Sequence, residues 1–312
     1  MRPRILIAEP GDFSPVALAA LRQQADVELR EVPPAGLAEA GREFDALWFR
    51  LAHRIDRTFL DARGRCRVVA TPVTGIDHID IDACRSAGVK VVSLKGETEF
   101  LKEVRATAEL TLGLALALLR HIPAASASVA AGEWARDRFR GHELYRKTAG
   151  IVGVGRLGTI VAGYLEALGM SVVGYDVRPD FPPGLRRAPT LQALLNESDL
   201  VSVHVSLEAS TRNLLGAEAF AAMKPGAVLV NTSRGGVVDE AAMLAALASG
   251  RLGGAALDVL TGEPGIDARH PVVAESKRRT NLLVLPHLGG NTHESFEKTE
   301  LFLAGKVLEA LR

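Results

Sequence analysis

Residues 147–176, KTAGIVGVGRLGTIVAGYLEALGMSVVGYD, leave few folds open. The apolar run 149–152 ends in a turn whose glycines, Gly153, Gly155 and Gly158, are spaced G-x-G-x-x-G. A helix-spaced stretch and a second apolar run closing on Asp176 follow. That order predicts a strand, a tight turn, a helix and a second, parallel strand. In such a unit Gly153 permits the bend, Gly155 lets a pyrophosphate approach the backbone, and Gly158 lets the helix pack on the strands. The unpaired N–H groups at the helix start, aided by its dipole, favour phosphate. Asp176, 18 positions past Gly158, stands where a carboxylate accepts bonds from an adenosine ribose. A lone glycine pattern is often only a tight turn. Here the strand before, the helix after and the acid beyond agree on a dinucleotide site.

Length and charge narrow the rest. A chain of 312 residues is long for one domain and fits two of ordinary size. Hydrophobic residues make up 47%, enough for sizeable cores and unlike a disordered composition. Lysine plus arginine number 37, as do aspartate plus glutamate, so no basic field draws nucleic acid and no such partner is expected. The two cysteines, Cys66 and Cys84, form no C-x-x-C and show no metal-ligand spacing. No metal is expected, and each reads as a free buried thiol in a reducing cytoplasm. The start, MRPRILIAEPGD, has an apolar run too short for a signal-peptide core, and no later run is long enough to span a bilayer. The expectation is a cytoplasmic protein with no membrane partner.

Strands and helices alternate along the chain. Residues 5–8, 27–30, 47–50, 68–71 and 89–93 read as strands, with helices at 15–22, 56–62 and 82–87. A long helix is predicted over 99–120, apolar on both faces and therefore buried. From 149 a second series begins, with strands at 150–153, 171–175, 200–204, 228–231, 255–258 and 282–285. Its helices are placed at 157–168, 191–196, 217–223 and 240–249, and a last helix at 292–311. This rhythm predicts an α/β chain of two doubly wound parallel-sheet domains.

Three stretches place polar groups just past predicted strand ends, where open α/β sheets bind ligands. In NTSRGGVVDE, Arg234 sits in a turn before two glycines. A guanidinium there can hold a carboxylate bidentately and polarise a neighbouring carbonyl, although an isolated loop arginine is more often surface charge. In LDVLTGEP, Glu263 follows one strand, and in LPHLGGNT, His287 follows another. A histidine backed by a carboxylate makes a general acid–base, with the acid fixing its tautomer. Spacing alone leaves open whether the two meet. An exposed glutamate and a satisfied loop histidine would fit it too.

The stretches GVGRLG, VHVSLEASTRNLLG, MKPGAVLVNTSRGGVVDEAAMLAALASGRLGGAALDVLTGEP and PHLGGNT together resemble the D-isomer-specific 2-hydroxyacid dehydrogenases, in their phosphoglycerate dehydrogenase-like branch. The likeness covers nearly the whole chain, because PVTGIDHID at 72–80 resembles that family's substrate-domain loop. It implies a Rossmann cofactor domain, 98–286, inserted in a flavodoxin-like substrate domain, 1–97 plus 287–312, and a homodimer. Arg234, Glu263 and His287 are the implied catalytic trio. NAD is the implied cofactor, held by Gly153, Gly155, Arg156, Leu157, Gly158 and Asp176. Further along the chain, His204, Val205, Thr232, Ser233, Asp258 and Gly290 are implied to join them. The implied substrate contacts are the backbone near Thr74, Gly75 and Ile76, together with Arg50, which resembles the position that holds a substrate phosphate in that branch. Arg54 adds to it. The implied reaction moves a hydride between nicotinamide and C2 of a small D-2-hydroxy or 2-oxo acid, with His287 serving the oxygen. Asp176 favours NAD, because a 2′-phosphate would meet its charge; Arg178 softens that preference.

Some residues depart from the family pattern. Its proline in a histidine–proline–leucine segment is Ser206 here. Residues 93–109 are longer than the corresponding segment and carry Lys95, Glu97, Glu99, Lys102, Glu103 and Arg105. They read either as a solvated helix start with local ion pairs or as cations that recognise an anionic tail. Glu263 sets the chain apart from the formate dehydrogenase branch, and no appended regulatory domain is expected after Arg312. A reading of another class, a catalytically silent NAD(H)-sensing partner protein, would keep the glycine turn without needing the trio. Which acid is the substrate, and whether its tail carries phosphate, phosphonate or carboxylate, stays open.

Overall fold

Short apolar runs joined by helices can bury both faces only in parallel sheets that helices cover, and two such sheets form. The computed structural model describes residues 2–312. Its chain divides into two compact units, Met1–Val104 with Asn291–Arg312, and Arg105–Gly290.

Unit 1 runs β1 (Arg4–Ile7), α1 (Pro15–Gln24), β2 (Asp26–Leu29), α2 (Leu37–Glu43), β3 (Ala46–Trp48), α3 (Arg57–Ala62), β4 (Val68–Thr71), α4 (Ile81–Ser86), β5 (Lys90–Ser93) and α5 (Thr98–Leu101). The strands pair in parallel in the order β2-β1-β3-β4-β5, the flavodoxin-like order, in which the winding reverses between β1 and β3. Side-chain caps start the helices: Ser14, Asp56 and Asp80 accept from the N–H groups of Ala17, Phe59 and Ala83.

Unit 2 runs α6 (Ala106–Leu119), α7 (Ile122–Ala130), β6 (Thr148–Val152), α8 (Arg156–Ala167), β7 (Ser171–Tyr175), β8 (Arg186–Arg187), α9 (Leu191–Glu197) and β9 (Leu200–Val203). It continues through α10 (Ala217–Ala222), β10 (Ala227–Asn231), α11 (Glu240–Ala248), β11 (Leu252–Leu257), α12 (Pro271–Ser276) and β12 (Leu282–Val284). Its parallel order, β12-β11-β10-β9-β6-β7-β8, is the Rossmann winding, reversing between β6 and β9. The last helix, α13 (His293–Leu311), returns to unit 1. There Leu303, Ala304, Val307, Leu308 and Leu311 share one buried cluster with Ile5, Ile7, Trp48 and Val68.

The long helix predicted over 99–120 is broken. α5 ends at Leu101, and α6 begins at Ala106. The cause is packing: Phe100, Leu101 and Val104 join the cluster of α13, where Phe100 stacks on Phe302 at 3.9 Å between ring centroids. Ala108, Leu114 and Leu118 belong instead to a unit 2 cluster with Ile151 and Val161. The break therefore sets the unit boundary at Val104/Arg105 rather than at 97/98, and the other boundary lies at Gly290/Asn291 rather than at 286/287. Nor is α6 buried all round: Thr111, Leu114 and Leu118 are buried, while Leu112 and Leu116 are only partly so and Gly113 is exposed. Cys66 and Cys84 are buried free thiols, pushed up to about 12 and about 11 by burial. Among the described residues no single helix is long and apolar enough to cross a membrane.

Candidate active site

The glycine turn joins β6 to α8 at unit 2's winding reversal. Gly153 has φ +90°, which suits glycine, and a Cβ there would lie 2.7 Å from the His204 carbonyl oxygen. A Cβ on Gly158 would lie 2.0 Å from the Gly153 carbonyl oxygen, so the helix can sit this close only on glycine. Gly155 differs. The nearest atom to a Cβ there is Arg178 Nη2 at 3.5 Å, so nothing inside the fold demands glycine. Space at Gly155, together with the first N–H groups of the twelve-residue helix α8, fits a pyrophosphate. Arg156 opens that helix, partly buried, and Leu157 packs on the core behind it.

Asp176 follows β7. Its Oδ1 accepts from the N–H and Nε of Arg178, and its Oδ2 from Arg178 Nη2 at 2.9 Å and the Val154 N–H at 3.0 Å. Burial raises this carboxyl, but Arg178 and the two N–H groups outweigh it and hold it below the ordinary carboxylate range. Asp176 is thus ionised and shared with Arg178.

Beyond β9, His204 Nε2 meets the Ser202 hydroxyl at 2.8 Å, and burial pushes the ring down to about 3, leaving a neutral imidazole. Val205 lies against the glycine turn, 2.7 Å from a Cβ on Gly153. Ser206 is exposed, and its carbonyl accepts from the Thr211 hydroxyl. Beyond β10, the Thr232 hydroxyl bonds that of Thr111 in α6 at 2.8 Å. Asn231 braces the next turn: its Oδ1 accepts from the N–H and hydroxyl of Ser233, and its Nδ2 donates to the Arg234 carbonyl. Arg234 Nη1 donates to the Ser233 carbonyl. A Cβ on Gly235 would stand 2.1 Å from the Leu260 carbonyl carbon, so this glycine presses the Arg234 turn against the loop that carries Glu263.

Glu263 and His287 meet. His287 Nδ1 donates to Glu263 Oε2 at 2.9 Å, with side chains 25% and 27% exposed, so the pair is reachable yet half-enclosed. His287 has φ +57°, a left-handed conformation costing an L-residue about 1 kcal/mol. Asp258 holds it there. The Asp258 carbonyl accepts from the His287 N–H, and its carboxylate accepts from Leu288 at 2.7 Å and Gly289 at 2.8 Å. Burial raises the Asp258 carboxyl, and these N–H groups, with His287, offset only part of that. Gly290 closes the loop with open space around its Cα.

In unit 1, Thr74, Gly75 and Ile76 follow β4, with Thr74 exposed and the others partly so. Arg50 follows β3, and it is occupied. Nη2 donates to Glu300 Oε1 at 2.8 Å, Nη1 donates to the Gly11 carbonyl at 2.7 Å, and the group lies 4.3 Å from the Phe296 ring centre. Charges of the 93–109 segment are paired too: Lys102 with Glu99, and Glu97 with Lys306 of α13.

Two site residues escape a reading of the sequence. Glu240 accepts from the Thr261 N–H at 2.7 Å and faces His270 Nε2 at 3.4 Å, tethering the Glu263 loop. No local spacing links position 240 to 261. The Asn231 turn had a signal, since its side chain accepts from the N–H two residues on, as asparagines in turns commonly do.

Residues 112–289 match the family model described as D-isomer specific 2-hydroxyacid dehydrogenase, NAD binding domain. The chain is 34% identical, over 99% of its length, to the D-3-phosphoglycerate dehydrogenase of Synechocystis sp., of which it spans 54%, about half. It is 31% identical to the hydroxypyruvate reductase of Thermotoga maritima, with 99% of each chain covered. The crystal structure of the TT0316 protein from Thermus thermophilus superposes with a TM-score of 0.88 at 33% identity, covering 99% of this chain and 96% of that one.

Proposed function

The chain belongs to the D-isomer-specific 2-hydroxyacid dehydrogenase family, and on that footing we propose that it is an NAD-dependent oxidoreductase acting at C2 of a D-2-hydroxy or 2-oxo acid. The observation that carries this reading is the 2.9 Å bond between His287 Nδ1 and Glu263, beyond the carboxyl ends of β11 and β12. NAD, when bound, supplies or accepts the hydride. The glycine turn, the α8 N-terminus and Asp176 hold it, with His204, Val205, Thr232, Ser233 and Asp258 beyond neighbouring strand ends.

The chain's own residues handle charge and the proton. Arg234 grips the substrate carboxylate and polarises the carbonyl. Because Nδ1 is committed to Glu263, the working proton sits on His287 Nε2. In reduction it passes to the substrate oxygen as C2 gains the hydride, so the carbonyl becomes a hydroxyl. In oxidation the neutral ring takes it back. Glu263 fixes the tautomer and faces the imidazolium with a carboxylate. The partly exposed apolar face of α6 and α7, with Ile122 and Val129 each 52% exposed, supports a homodimer.

The test is NADH oxidation by purified protein against glyoxylate, pyruvate, hydroxypyruvate, phosphohydroxypyruvate and phosphonopyruvate. Turnover that His287→Asn abolishes supports the reading. NADH bound but not consumed with any of them points to the sensing role instead.

A further inference from the structure

Glu263 can serve His287 only if its loop holds still, and that loop leaves the core just before it. β11 ends at Leu257, and Val259 and Leu260 remain buried. Thr261 and Gly262 are exposed, Gly262 has φ +94°, and Glu263 is half-buried. We propose that Glu240 and His270 are positioning residues for proton transfer, clamping the Thr261 peptide so that Glu263 meets His287 in the orientation that keeps a proton on Nδ1. The proposal rests on the oxidoreductase reading above and extends its machinery beyond the trio.

Both backbone polar groups of Thr261 are taken by side chains from other elements. Glu240, the first residue of α11, accepts the Thr261 N–H on Oε1 at 2.7 Å. His270, just before α12, donates from Nε2 to the Thr261 carbonyl at 3.2 Å. A carbonyl oxygen only accepts, so the ring proton lies on Nε2. The same Nε2 stands 3.4 Å from Glu240 Oε2, which closes the clamp into a ring. His270 Nδ1 is buried without a hydrogen-bond partner among the described residues, so the imidazole grips the loop through Nε2. Gly235 holds the peptide from a further side, since a Cβ there would lie 2.3 Å from the Thr261 nitrogen. The side chains of His270 and Glu240 are 16% and 17% exposed, better shielded than the pair they serve.

Glu263 lies two residues beyond the clamp. Its Oε2, 2.9 Å from His287 Nδ1, would pass out of hydrogen-bond range on a shift of about 1 Å. A misplacement of that size can cost about 10² in rate. Asn231 braces the Arg234 turn separately, so opening the clamp leaves the grip on the substrate carboxylate in place.

Glu240→Ala opens the clamp. It is expected to lower kcat about tenfold, while KM for the 2-oxo acid and the Kd of NADH change by less than about threefold. Glu240→Gln, whose amide oxygen still accepts the Thr261 N–H, should recover most of the loss. Heteronuclear NMR of protein labelled in its histidine rings, with His287 assigned through His287→Asn, reads the tautomer without turnover. With the ring neutral, wild type should carry the His287 proton on Nδ1, and Glu240→Ala should move part of it to Nε2. A merely structural role would lower the unfolding midpoint alone. A folded Glu240→Ala with unchanged kcat and unchanged tautomer therefore overturns the proposal. Should that variant not fold, His270→Phe makes the same test by removing the donor and keeping the bulk, with a loss in kcat of about threefold expected. If no 2-oxo acid is turned over, the oxidoreductase reading fails, while the His287 tautomer still decides the clamp.

Discussion

Each unit carries a charged pair with one member just past a strand end, yet the two pairs are covered differently. In unit 2 the Glu263–His287 pair keeps about a quarter of each side chain exposed. In unit 1 the Arg50–Glu300 pair is one-sided, with Glu300 wholly buried and Arg50, 19% exposed, lying against an aromatic ring. A reactive pair must be reached by what it acts on, and its hydrogen bond holds it in the right orientation. A pair with one member wholly buried ties structure together, because its carboxylate has no solvent to turn to. The same βα rhythm therefore supports, on our reading, proton transfer past one strand end and a structural tie past another.

The contrast can be broken by exchanging activity for stability. His287→Asn should cut kcat/KM by about 10²–10⁴ and leave urea-unfolding stability within about 0.5 kcal/mol. A large loss of stability there would make the pair a structural one. Arg50→Ala should do the reverse and cost about 3 kcal/mol in urea unfolding, because it strands a buried carboxylate. A variant as stable as wild type would show that Glu300 does not depend on Arg50.

Asp258 joins the two behaviours, being a buried acid that supports an accessible histidine. Asp258→Asn turns an acceptor into a donor opposite the N–H groups of Leu288 and Gly289. It should cost about 1–3 kcal/mol and lower kcat while NADH still binds, as fluorescence titration would show.

The smallest effect sharpens the comparison by pH. His53 of unit 1 is fully buried, and burial lowers its pKa despite Glu9 and Glu31. His204 of unit 2 is lowered to about 3. A histidine with a depressed folded pKa binds protons better when unfolded. Its contribution is therefore intact above the unfolded value, roughly 6.5, and is lost as pH falls below it. From pH 7.5 to 5.5 each should remove at most about 1.4 kcal/mol, and His53→Gln and His204→Gln should each flatten part of that slope in urea unfolding.

What the sequence disclosed follows from range. The glycine turn, the strand end at Asn231 and the alternation of strands and helices are local patterns, legible because period and punctuation act over a few residues; the strand expected to end at Asp258 ends one residue earlier, at Leu257. The meeting of Glu263 with His287 is left open by spacing and is reached only through family likeness. The Arg50–Glu300 bond joins positions 250 apart in the chain, and nothing near either residue announces it. The helix break after Leu101 escapes the sequence because 99–120 is rich in apolar residues, and periodicity cannot tell which of two cores each side chain will choose. The helices at Leu37–Glu43 and Pro271–Ser276 start without a side-chain cap, unlike the similarly short ones capped by Asp56 and Asp80, and so do not declare themselves.

The return of α13 to unit 1 also sets an order of assembly during synthesis. Arg105–Gly290 is continuous, so its core can close as soon as that stretch has left the ribosome. Unit 1 begins before unit 2 but lacks Leu303, Val307 and Leu311 until α13 emerges. Of the two units, the one begun earlier is therefore completed later, and Ile5, Ile7 and Trp48 wait, incompletely covered, while unit 2 is made.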